Sequence, residues 1–104
     1  MDRQQFNMEV EEALGQARRV GEIARQHLGD TVDGRLPDYI AGVILADGFA
    51  TLRALHEVQS SRRCKVHQRQ RLQAVIVTLT ALMARVQEAS VIVGAGFEEA
   101  PSLR

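Results

Sequence analysis

From residue 72 the chain reads "LQAVIVTLTALMARVQEAS", where Leu72, Ile76, Leu79, Met83, Val86 and Ser90 recur at alternating steps of four and three. An α-helix brings side chains at that spacing back to one face, and a heptad seam of this kind packs against another helix. Val75, Leu82 and Ala89 each stand one position before a seam residue and widen the stripe. "AVIVTLT" is β-branched enough to read as a strand in isolation. The seam continues on both sides of it, so the spacing predicts a helix over about 72–93. Such a helix needs a cover, and the rest of the chain has to supply one.

Two further helices are legible. Phe6, Val10, Ala13, Leu14, Ala17, Val20, Ala24 and Leu28 form one stripe, with Glu9, Glu12, Arg18, Arg19, Glu22 and Arg25 mostly off it, predicting a helix over about 5–28. "GDTVDGRLP" places two glycines, two aspartates and a proline within residues 29–37 and reads as a loop. Pro37 suits a first helical position and Asp38 suits the helix dipole, so a second helix is expected over about 38–59. A basic joint follows at 60–71, "SSRRCKVHQRQR". After the third helix, "GAGFEEAPSLR" at 94–104 reads as a stop followed by a mobile tail. At 104 residues these elements make one domain, residues 1–104, of the all-α class: a small bundle of about three helices.

The apolar content exceeds what one stripe per helix needs. Helix three carries 15 hydrophobic residues among the 22 from Leu72 to Val93, and helix two 13 among the 20 from Tyr39 to Val58; helix one has 10 among 24. Two readings follow. Helix three is the central core helix, wrapped by the others, or the surplus is buried between subunits. The second is preferred, because helices two and three show the excess together. It makes the protein a homodimer through the heptad helix, with Leu72, Ile76, Leu79, Met83 and Val86 as core and self-association seam. Tyr39, Ile40, Val43, Ile44 and Phe49 on helix two then meet a protein partner, and Arg62, Arg63, Lys65, Arg69 and Arg71 form a polar rim. The two helices can exchange these roles.

Composition narrows the chemistry. Thirteen basic residues balance thirteen acidic ones, so nucleic-acid binding would depend on the local patch at 62–71. Aromatics are 4% with no Trp, which disfavours base stacking. A helix-turn-helix needs a short turn and a polar recognition helix, whereas helix three is apolar. Arg69 and Arg71 at the start of a helix oppose its dipole, which points to the acidic side of a partner, or to Glu9, Glu11 and Glu12 of helix one, lying nearby. Cys64 and His67, with His56 eight residues earlier, fall short of a zinc ligand set, and no metal is expected. Asp47 interrupts helix two and, if buried, would want Arg53 or Arg85 as a partner. "VIVGAGF" at 91–97 has Glu99 where a dinucleotide fingerprint needs its third glycine. No catalytic constellation appears, so neither an enzyme nor a cofactor is expected. The lone cysteine, the absence of a signal-like apolar N-terminus and an uncharged run too short for a span point to the cytoplasm.

In length, and in the layout "LPDYIAGVILADGFATLRALHEVQ" followed by "RLQAVIVTLTALMARVQEASVIV", most of the chain resembles the small helical quorum-sensing antiactivators with which bacteria silence LuxR-type receptors. The resemblance implies a regulatory protein that binds a transcriptional regulator, blocks its dimerisation and so prevents DNA binding. It has no signature motif, so no functional residue carries over. Two other classes remain open on the residues alone: a small nucleic-acid-binding protein using 62–71, and a helical secretion or folding chaperone using the same apolar surfaces.

Overall fold

A computed structural model describes residues 3–31 and 34–91. Three helices account for nearly all of it: α1 (Arg3–Asp30), α2 (Asp38–Gln59) and α3 (Val66–Ala89). The chain is an all-α bundle. Phe6, Val10, Ala13, Leu14, Ala17, Val20 and Ala24 of α1 are buried, which is the predicted stripe apart from a half-buried Leu28. They meet Ala41, Ile44 and Leu55 of α2 and the heptad residues of α3 in one core.

The heptad seam lies inside the chain. Leu72 and Val86 are fully enclosed, Met83 and Leu79 nearly so, and Ile76 is buried. The expected core and self-association seam is therefore corrected in part: these five side chains are buried as the core of the chain's own bundle, packed with α1 and α2. Helix three is the core helix of its own bundle. Its partner helix α2 packs tightly against it at Gly48, where a Cβ atom would overlap the Met83 sulfur. That contact explains a glycine in the middle of a helix, where it costs roughly 1 kcal/mol relative to Ala.

Both ends of α3 differ from the expected bounds. The helix begins at Val66 rather than Leu72, so residues 66–71 are its polar first turns and the joint shrinks to 60–65. Gln68 fixes this start: its side-chain carbonyl accepts the Lys65 backbone N–H at 3.0 Å, which satisfies one otherwise orphaned donor. The helix ends at Ala89, four residues early. Ser90 and Val91 turn extended (β2) and pair in parallel with Leu36 and Pro37 (β1). This short clasp holds the α1–α2 connection against the end of α3, with Leu36 buried and Gly34 taking φ 66° just before it. Pro37 caps α2 from outside rather than occupying its first turn. The proposed tail at 94–104 and most of "VIVGAGF" lie outside the described residues.

Candidate functional site

The apolar surplus of α2 stays on the surface. Tyr39 is 66% exposed, Val43 64% and Phe49 48%. Gly42, Ala46 and Ala50 are exposed beside them, so the first three turns of α2 present an apolar face to solvent, with Asp47 and Arg53 at its border. Fully burying a valine or phenylalanine gains about 1.5–3 kcal/mol, and a contiguous patch of such residues marks an interaction surface.

Of the five helix-two residues expected to meet a partner, the structure brings three together on that face. The other two are corrected. Ile44 is 4% exposed and belongs to the core, and Ile40 is half-buried against it. Helix two is apolar on nearly every side, so its composition does not reveal which residues face inward; the packing against α1 and α3 sets that phase. Ala46 and Ala50 complete the exposed face and were missed, because alanine is unremarkable in any helix.

The basic joint divides into two groups. Arg69 and Arg71 are engaged within the fold. The Arg69 guanidinium donates to the carbonyls of Cys64 at 3.1 Å and Gln59 at 3.4 Å, the latter at the negative end of α2. Arg71 pairs with Glu11 at 2.9 Å, one of the acids expected beside it. Gln68 adds a third tie, donating to the Asn7 side-chain oxygen at 2.8 Å. Arg62, Arg63 and Lys65 remain exposed and, with Arg3, line a cleft of about 400 Å³. Among the described residues, none of these four side chains has an acidic partner.

The expected polar rim also moves. Phe49 lies ten residues before the end of α2, so at about 1.5 Å per residue the joint sits roughly 15 Å away along the axis. Arg62, Arg63, Lys65 and Arg69 therefore lie by the last turns of α2, Arg71 turns to α1, and the bare face is bordered by Asp47 and Arg53 instead. Asp47 is itself exposed and its position asks for no buried ion pair.

Cys64 is a free thiol, 5% exposed and packed into the core, while His56 and His67 point outward. Among the described residues no three His, Cys, Asp or Glu side chains gather at metal-binding distance. Nor is any described helix long and apolar enough to cross a membrane. Compared with family models, curated proteins and solved structures, the chain matches none.

Proposed function

We propose that the chain is a non-enzymatic regulatory protein that binds and inhibits a transcriptional regulator, of the LuxR quorum-sensing type, by covering its dimerisation surface and preventing DNA binding. The observation that supports this is the bare α2 face of Tyr39, Val43 and Phe49. Dimer faces are apolar at their centre, and an exposed apolar helix can fill such a face in place of the second receptor subunit. Because the α3 seam is occupied internally, self-association also falls to the α2 face: in the free protein a second copy covers it, and the target displaces that copy. The cytoplasm, where such receptors bind promoters, is the place of action in this reading.

The test is a promoter reporter driven by a LuxR-type receptor in cells expressing the chain. Repression by the wild type and its loss in Val43→Asp, at equal protein level, is the expected result. A reporter indifferent to the wild-type chain contradicts the proposal.

A second reading keeps one specific support, the four cations at Arg3, Arg62, Arg63 and Lys65 around the cleft, which have no acidic partner among the described residues. Direct nucleic-acid binding there would fall steeply with salt, and would weaken when Arg62 and Arg63 are neutralised. A flat or absent response to DNA ends it.

A further inference from the structure

α1 and α3 run side by side in the same direction. Asn7 meets Gln68, Glu11 meets Arg71 and Leu82 lies beside Gly21, a nearly constant offset along both helices. A groove of about 390 Å³ opens to solvent between them. Its α1 bank runs from Leu14 to Arg25 and its α3 bank from Arg71 to Leu82, each eleven residue steps and so roughly 16 Å long. That is the length of about three helical turns.

The middle of the groove is shallow-walled. Ala17 and Gly21 form its buried floor together with Leu14, Leu79 and Leu82, the Arg25 guanidinium lies beside Gly21, and Ala74 and Thr78 are exposed on the α3 bank. Side chains this small let a helix axis approach to the usual 8–10 Å of packed helices. The charge is one-sided. Among the described residues, Arg18, Arg25 and Arg71 are the only ionisable ones lining the groove. Arg71 already holds Glu11, but among the described residues neither Arg18 nor Arg25 has an acidic partner. These two stand seven residues apart, two turns along the same bank, where a docked helix would repeat its own side chains.

We propose that this groove takes an acidic amphipathic helix of a partner protein, completing a four-helix arrangement along α1 and α3. The apolar stripe of that helix packs on the floor, and carboxylates two turns apart reach Arg18 and Arg25. A basic helix of the same shape is rejected, since like charges across an interface are repelled. The inference does not depend on the α2 face, which lies on another helix.

The experiment is fluorescence anisotropy on the full chain with a labelled helical peptide of about four turns. Its leucines alternate at three- and four-residue spacing and its flanking residues are glutamate; a twin peptide carries lysine in their place. The glutamate peptide is expected to bind, and the lysine twin at least about tenfold more weakly. Ala74→Trp, which plugs the groove from an exposed position, should lower affinity by about tenfold or more. Arg18→Glu with Arg25→Glu should shift preference towards the lysine peptide, which tests the claim even if the tryptophan variant folds poorly. Val43→Asp should leave binding unchanged, so failure here is separable from failure of the α2 reading. Equal binding of both peptides, no binding of either, or a folded Ala74→Trp chain that binds like wild type would each overturn the proposal. So would a wild-type dimer that Ala74→Trp returns to monomer, which would assign the groove to a second copy.

Discussion

At the scale of single residues, neighbours in sequence have opposite tasks. Val43 faces solvent and Ile44 is sealed in the core, so aspartate has different consequences at the two positions. At a protein concentration low enough to keep the chain monomeric, Val43→Asp should change stability by less than about 0.5 kcal/mol, as exposed substitutions usually do. Ile44→Asp buries an unpaired charge and should leave too little folded protein to measure. Urea unfolding distinguishes them, and a large loss for Val43→Asp would mean that the face is covered within the monomer. Gly48 is a second such position. Gly48→Ala drives a methyl into Met83 and should cost about 1–3 kcal/mol, despite the better helix propensity of alanine. Adding Met83→Val should recover part of that loss, which denaturant titration of the double variant measures. Neither residue's role was legible from its type. Gly48 takes its role from the α3 side chain packed against it, and Ile44 and Val43 are equivalent in a helix that is apolar on nearly all sides.

At the scale of elements, the joint is held by polar side chains that the apolar periodicity could not register. The spacing begins at Leu72, so the helix seemed to start there, while Gln68 shows that its first turns are polar and ordered by contact with α1. Gln68→Leu removes both bonds, leaving the Asn7 side chain and the Lys65 N–H without their partner; a loss of about 1–3 kcal/mol is expected. The same variant should speed amide exchange in the first turns of α3 before the rest of the helix. Exchange that stays uniform along α3 would show that the start is not pinned by Gln68. By contrast, the Arg71–Glu11 pair is exposed on both sides and Arg71→Ala should cost at most about 1 kcal/mol, less at high salt. The mismatch of cations with the start of a helix was legible from sequence, and it led to the right acidic helix. The extended end at Ser90 and Val91 was not, because two residues paired with a distant proline leave no periodic trace.

At the scale of the whole molecule, the three helices and the loop between the first two were readable because their stripes are long and their breakers dense. The place of the third helix was not. A heptad seam requires a partner helix but is silent on whether that partner belongs to the same chain, and here α1 and α2 supply it. On the proposed function a partner meets the α2 face and, on the further inference, another meets the α1–α3 groove. The core assignment has a direct consequence: Leu72→Ala should cost about 2–5 kcal/mol, and the loss should be the same at low and high protein concentration. A loss that depends on concentration would return Leu72 to a subunit interface. The central claim, that the α2 face displaces a receptor subunit, is tested most directly by light scattering of a purified LuxR-type receptor mixed with the chain. The receptor dimer should give way to a complex containing one receptor subunit, and Val43→Asp should leave the dimer intact. A receptor dimer that persists at saturating wild-type chain would contradict it.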